Sequence, residues 1–109
     1  MASTFKNFTA RSVGVTGVNI YNPTTAGIKC TIIGMSIANL TAATIYVSVY
    51  LNASSANTYL VKNAVVPTGG ALIPVGGDQK LVMEQNNSLY VISDTATSAD
   101  VIVSVLELT

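Results

Sequence analysis

The residue types that most often carry out catalysis are scarce in this chain of 109 residues. It contains no histidine, no tryptophan and a single cysteine, Cys30, within the apolar run IKCTIIG. Serine and threonine are abundant, but without histidine they lack the most common general base. One thiol supplies neither a Cys/His zinc site nor an intrachain disulfide. We therefore expect Cys30 to be a buried apolar residue, and we expect no enzyme and no cofactor.

The remaining residues that could take part in metal or phosphate binding are isolated acids and two glycine pairs. Asp78, Asp94 and Asp100 are single acids in or beside loops, without the clustered spacing of a calcium-binding loop. The pairs that begin at Gly69 and Gly76 do not precede a helix and lack the spacing of a phosphate-binding loop. They predict hairpin turns, and we expect no metal site.

The charge content excludes further classes of function. Five basic and five acidic residues cancel to zero, and only 9% of the chain is charged, against about 25% in an average domain. Without clustered lysine and arginine, the chain has no electrostatic footprint for nucleic acid or anionic lipid. We also predict no membrane span and no signal peptide. A neutral surface with so few charges has little protection against association, which favours a subunit of an assembly.

The hydrophobic pattern has a period of two residues along most of the chain. It is clearest in TIYVSVYL and DVIVSVLEL, where β-branched residues alternate with polar or second apolar residues. Turn residues interrupt the pattern about every ten residues. We therefore predict an all-β, single-domain antiparallel β-sandwich, of the jelly-roll or immunoglobulin-like type, with about eight strands and almost no helix.

Several side chains are candidates for contacts with other protein. Ile102, Leu106 and Leu108 lie opposite the valines of the last strand, so both faces of that strand are apolar. Such a strand is either central and covered or faces a partner, and we favour the partner because no helix is predicted to cover it. Tyr46 and Tyr50 lie on the more polar face of TIYVSVYL and either flank the core or line a subunit contact.

The first residues are too polar for a core strand. Residues 1–11 include Phe5 and Phe8 in a background of serine, threonine and asparagine. We predict that they form an N-terminal arm outside a sandwich domain of residues 12–109. The arm is either a frayed terminus or a segment that docks its two phenylalanine rings on a neighbour.

Two long runs resemble small virion structural proteins of tailed bacteriophages. They are TYLVKNAVVPTGGALIPV and GGDQKLVMEQNNSLYVISDTATSADVIVSVLEL, with TIIGMSIAN fitting an earlier core strand of the same pattern. The segment Gln85-Asn86-Asn87 departs from the Gly-Asp turn that is more usual there. The resemblance implies a β-sandwich of the capsid decoration (cement) type, or of the neck, tail or baseplate, and it supplies no catalytic residues.

We therefore expect a non-enzymatic virion structural protein, first of all a capsid decoration protein that stabilises the shell. It would form a homo-oligomer, with a trimer expected, on the major capsid protein or other virion proteins. It would assemble into the virion in the host cytoplasm, without nucleic-acid or membrane partners. A component of the neck, tail or baseplate is the alternative. A different class is a carbohydrate-binding or receptor-binding module that uses Tyr46, Tyr50 and Tyr59.

Overall fold

The computed structural model describes residues 3–76 and 79–108, and these residues form nine β-strands without a helix. The strands are β1 (Ser3–Val13), β2 (Val18–Tyr21), β3 (Lys29–Asn39), β4 (Ile45–Ala53), β5 (Ala56–Val66), β6 (Ala71–Val75), β7 (Leu81–Met83), β8 (Ser88–Ser93) and β9 (Ala99–Leu108). The predicted all-β class is confirmed. Gly77 and Asp78, where we predicted a hairpin turn, lie outside the described residues.

The strands form two antiparallel sheets that pack as a sandwich. The five-stranded sheet has the order β1-β9-β3-β6, and β7 pairs with β3 on the same side as β6. The four-stranded sheet has the order β2-β8-β4-β5. This order is that of a jelly roll, with β6 and β7 sharing one of its eight strand positions. The shared position explains why the described chain has nine strands where the sequence predicted about eight.

The core lies between the inward faces of the two sheets. In the central strands β3 and β9, buried and outward side chains alternate, because successive residues of a strand point to opposite faces. Eight side chains at its centre are fully buried: Ile32, Ile37, Val103 and Val105 from the five-stranded sheet, and Val47, Val49, Leu89 and Val91 from the four-stranded sheet. The predicted alternation in TIYVSVYL and DVIVSVLEL therefore describes the packing of β4 and β9.

The predicted N-terminal arm differs from the structure. Its described part, residues 3–11, forms most of β1, which pairs with β9 from Ser3↔Leu108 to Ala10↔Val101. These residues are polar because β1 is an edge strand, and most of its side chains are exposed. A polar composition therefore marked an edge of the sheet rather than a segment outside it. Met1 and Ala2 lie outside the described residues, as does Thr109.

Candidate functional site

The outer face of the five-stranded sheet carries three neighbouring rows of uncharged side chains. The strand register defines the rows as Phe5–Leu106–Thr31–Val82, Asn7–Ser104–Gly34 and Thr9–Ile102–Ser36, and Ile73 of β6 faces outward beside the last row. We call these residues, together with Ile33, the apolar face. Four of its large side chains are well exposed, from 53% for Ile102 to 72% for Phe5, while Leu106 and Ile33 are half-buried. Exposed apolar side chains grouped on one sheet face are typical of a surface that contacts other protein.

A shallow depression lies at the centre of the apolar face. Ile33 forms a β-bulge in β3, because Ile32 pairs with Val105 while Gly34 pairs with the next residue of β9, Ser104. The depression, of about 280 Å³, includes Phe5, Asn7, Ile33 and Ser104 in its lining.

Gly34 is the smallest residue of this region, and neither crowding nor backbone conformation within its own chain requires a glycine there. A Cβ atom at Gly34 would have no neighbour within 4 Å, and its φ lies outside the left-handed region. Glycine inside a strand weakens that strand, and it often marks a place where another chain approaches closely. Gly34 is therefore a place where a neighbouring chain could reach the backbone of β3.

The structure brings together part of the predicted contact set. Phe5, Ile102 and Leu106 all lie on the apolar face, and Leu108 lies at its end, in the row that contains Lys29. The prediction that Phe8 docks on a neighbour is not consistent with its position. Phe8 pairs with buried Val103 and points inward.

The ring of Phe8 packs within its own chain, with its centroid 4.7 Å from that of Tyr21. Residues three apart on a strand point to opposite faces, so Phe5 and Phe8 cannot share one docking surface.

Tyr46 and Tyr50 lie on the outer face of the other sheet, in different rows. Tyr50 lies between Tyr90 and Tyr59, with ring centroids 5.2 Å from each. We call the neighbouring rings of Tyr90, Tyr50 and Tyr59 the tyrosine ladder. Tyr46 precedes Tyr50 by four residues on β4 and pairs with Val65 of β5, so it does not belong to this ladder.

The ladder is packed against itself. The rings of Tyr50 and Tyr90 are parallel to within 1°, and the Lys62 ammonium lies 4.8 Å from the centroid of Tyr59. Burial raises the pKa of Tyr50, and its neighbours Tyr59 and Tyr90 raise it further. The tyrosine rings therefore cover one another instead of presenting a flat platform to a sugar.

A cluster of four polar groups at one side of the sandwich was missed by the sequence analysis. The hydroxyl of Tyr21 donates a hydrogen bond to Oε2 of Glu107 at 2.6 Å, and the sulfur of Cys30 lies 3.0 Å from the same phenol oxygen. Lys6 Nζ lies 2.9 Å from the other carboxylate oxygen of Glu107. We call these residues the Tyr21 cluster, and it joins β1, β2, β3 and β9.

The electrostatics of the Tyr21 cluster follow from this geometry. The hydrogen bond from Tyr21 and the nearby Lys6 ammonium lower the pKa of Glu107, although partial desolvation opposes them. Burial, together with the Cys30 thiol and the Glu107 carboxylate, raises the pKa of Tyr21 well above its usual range. These two pKa shifts favour an ionised Glu107 and a neutral Tyr21, which is typical of a structural network.

One signal in the sequence could have revealed this cluster. In DVIVSVLEL, Glu107 occupies the same face as Val101, Val103 and Val105, which are buried. An acid in the inward register of a central strand requires partners, because a buried charge without them is strongly unfavourable. A cleft of about 220 Å³ lies beside the cluster, and Asn22 and Thr24 contribute to its lining.

Two further properties concern the described residues alone. Residues 3–76 and 79–108 contain no group of three or more histidine, cysteine or acidic side chains placed to hold a metal ion. Within the same ranges, no helix has the length and the apolar character that a membrane crossing requires.

The fold is a jelly-roll β-sandwich whose five-stranded sheet carries three rows of uncharged side chains on its outer face. No protein-family model and no curated protein sequence matches the chain. Among solved structures, it is similar to a protein from Bacillus endospore appendages, which are described as a novel family of disulfide-linked pili. The TM-score is 0.57 at 13% sequence identity, over 98% of this chain and 88% of the other. At this identity the likeness concerns the fold.

Proposed function

We propose that the protein is a non-enzymatic structural subunit that docks its apolar face on neighbouring protein in an assembly. The observation that carries this proposal is the apolar face itself, whose three rows contain no charged residue and whose exposed side chains include Phe5, Val82 and Ile102. The depression beside Ile33 and the open space at Gly34 add places for a partner's side chain. Excluding water from these side chains favours the docked state by about 25 cal/mol per Å².

The size of the face indicates what kind of contact it makes. Four strand positions about 4.8 Å apart and five or six residues at about 3.3 Å each cover about 350 Å². A standard interface buries about 800 Å² on each partner. One apolar face is therefore small for a stable pair of proteins, and it suits an assembly in which each subunit makes several contacts.

The particular assembly that we propose is a phage particle, with the protein as a capsid decoration protein on the major capsid protein. The support for this choice is the resemblance of the runs from Thr58 to Val75 and from Gly76 to Leu108 to such proteins. A homo-oligomer bound over junctions of the shell would stabilise it by mass action, because every bound copy favours the assembled state. A neck, tail or baseplate component would occur in only a few copies per particle. Copy number relative to the major capsid protein distinguishes the two.

A fibre is the second candidate, and the structural neighbour supports it. That neighbour belongs to disulfide-linked pili. In the present chain the single cysteine, Cys30, is 2% exposed and lies against Tyr21. A fibre of this protein would therefore be joined without disulfides.

The proposal is tested by incorporation of variants into the native assembly. Ile102→Lys places a charge at the centre of the apolar face, and we expect its incorporation to fall at least about tenfold, since a desolvated unpaired charge costs more than 1.4 kcal/mol. Val65→Lys is the matched control, because Val65 is 58% exposed on the other sheet. Equal incorporation of Ile102→Lys and the wild type, measured by quantitative mass spectrometry of purified particles, would contradict the proposal.

A further inference from the structure

The free edges of the two sheets differ in how well they are protected against pairing with another strand. Natural edge strands are kept apart by short length, proline, bulges or charge. Of the described edge strands, β2 and β7 have four and three residues, and β6 has five with Pro74 among them. These three edges are protected by their length or by proline.

The edge strand β5 has eleven residues but is irregular. Its register against β4 shifts twice, at Leu60 and at the pair Lys62–Asn63, and Asn63 has a φ of 54°. The exposed ammonium of Lys62 lies in this same region. Bulges and charge therefore interrupt the free edge of β5.

The edge strand β1 is different, because a long part of it is regular. From Ser3 to Ala10 it pairs with β9 in eight consecutive positions, and its register shifts only beyond Ala10. Lys6 is the sole charged residue between Ser3 and Ala10. Its ammonium is bound to Oε1 of Glu107 at 2.9 Å, so this half-exposed charge is paired within its own chain.

From these observations we propose that a second copy of this chain adds its β1 antiparallel to β1, about a two-fold axis. The two five-stranded sheets would then form one continuous sheet. The proposal rests on the proposed function in one respect, since it names the contact that supplements the small apolar face. An eight-residue antiparallel ladder makes about eight backbone hydrogen bonds, which is close to the number in a typical interface.

The symmetry of this contact explains why a second copy is the occupant. The same strand on both partners gives an isologous contact, which closes as a dimer. It also joins the two apolar faces into one surface, because Phe5, Asn7 and Thr9 already lie at the β1 edge of that face. The result is a docking surface twice as large as that of one copy.

The test compares two lysine substitutions in one cross-strand row. Thr9 and Ser36 are small polar residues of the row Thr9–Ile102–Ser36, but Thr9 lies on the edge strand and Ser36 on the central strand β3. By analytical ultracentrifugation of the full chain, we expect a dimer. We expect Thr9→Lys to raise its dissociation constant about tenfold, because a lysine on an edge strand disfavours pairing with a further strand. Ser36→Lys should leave the dissociation constant within about twofold of the wild type.

Hydrogen exchange supplies a second measurement that does not depend on substitution. Alternate amides of an edge strand face away from its partner, so we expect every second amide between Ser3 and Ala10 to become protected as the dimer forms. Amides of β5 serve as the internal control. A monomer at all concentrations, a trimer, or unchanged exchange in β1 would each overturn the inference.

The outcome also separates this inference from the proposed function. If Ser36→Lys weakens the dimer as much as Thr9→Lys, the copies associate through the apolar face, and pairing at the β1 edge is overturned while the proposed function stands. If Ile102→Lys enters the native assembly normally but Thr9→Lys does not dimerise, pairing at the β1 edge stands and the proposed function is overturned.

Discussion

The phenol oxygen of Tyr21 lies 2.6 Å from Oε2 of Glu107, and this contact joins residues 86 positions apart in the chain. Tyr21 belongs to β2 in the four-stranded sheet and Glu107 to β9 in the five-stranded sheet. The hydrogen bond therefore crosses between the two sheets. Because Glu107 also binds Lys6, the same carboxylate holds the edge strand β1 that we propose as a pairing site.

The Tyr21 cluster predicts a loss of stability at acid pH. The folded state lowers the pKa of Glu107 from its ordinary value of 4.5, so the unfolded chain binds a proton first as the pH falls. The stability contributed by Glu107 is therefore complete above the unfolded pKa and is lost as the pH falls through the folded pKa. We expect Tyr21→Phe to cost about 1–3 kcal/mol at neutral pH and to reduce this acid dependence. Urea unfolding between pH 2 and 7 measures both effects.

The control for this variant is Tyr46→Phe, which removes a hydroxyl from an exposed tyrosine on the other sheet. Its free energy of unfolding should match the wild type within about 0.5 kcal/mol. If the free energy of unfolding of Tyr21→Phe falls with acid pH as steeply as that of the wild type, Lys6 alone lowers the pKa of Glu107.

Tyr21 itself predicts a second loss of stability at alkaline pH. Burial raises its folded pKa above the ordinary value of 10.0, so its contribution is complete below the unfolded pKa and is lost as the pH rises above it. Absorbance titration of the phenols should therefore show one tyrosine that ionises only when the protein unfolds. The Tyr21→Phe variant should lack that step, and its persistence would assign the step to another tyrosine.

Gly34→Val is expected to stabilise the isolated protein and to weaken its assembly. A valine side chain enters open space at Gly34 and suits a strand better than glycine, which predicts a gain of about 0.5–1 kcal/mol in the free energy of unfolding. The same side chain occupies the open space on the apolar face where a partner would approach the backbone of β3. Incorporation into the native assembly should therefore fall while the melting temperature rises.

Gly27→Val is the matched control for that variant. A Cβ at Gly27 also meets nothing within 4 Å, but Gly27 has a φ of 77°, which valine adopts only with strain. We expect Gly27→Val to lose about 1–2 kcal/mol. A loss of similar size in Gly34→Val would mean that β3 itself requires glycine there.

The tyrosine ladder predicts a structural role for Tyr50 and little role for Tyr46. Tyr50→Ala removes a ring that packs between Tyr90 and Tyr59, and we expect it to cost about 2 kcal/mol. Tyr46→Ala should cost under about 0.5 kcal/mol, since that ring is 44% exposed. Thermal unfolding measures the difference. A glycan array with signals that both substitutions abolish would instead support the carbohydrate-binding alternative.

Cys30 is expected to be unreactive in the folded protein. Its side chain is 2% exposed, so an aromatic disulfide reagent should modify it only at the rate at which the Tyr21 cluster opens. Tyr21→Phe should accelerate that reaction, and Tyr46→Phe should not. Rapid modification of the wild type would contradict the burial of Cys30 and reopen disulfide linkage between copies.

The sequence determined the class of fold and, in β9, which side chains point into the core. In β9 the alternation of DVIVSVLEL predicts that Val101, Val103 and Val105 point inward, and all three are buried while Ile102 is 53% exposed. This prediction succeeds because a period of two residues is a local property of an extended chain. The same alternation predicted Ile102 and Leu106 as outward apolar residues, and they are the centre of the apolar face.

Only the tertiary structure decided which strands are neighbours. Among the described strands, only β4 and β5 are adjacent both in sequence and in a sheet, so most pairings close long loops that no local pattern encodes. The pairing of β1 with β9 turned a predicted arm into an edge strand, buried Phe8 against Tyr21, and brought Lys6 to Glu107. Residue types and spacing determined which surfaces this chain has. Long-range pairing decided which of those surfaces lie side by side, because contacts between distant residues form only in the folded chain.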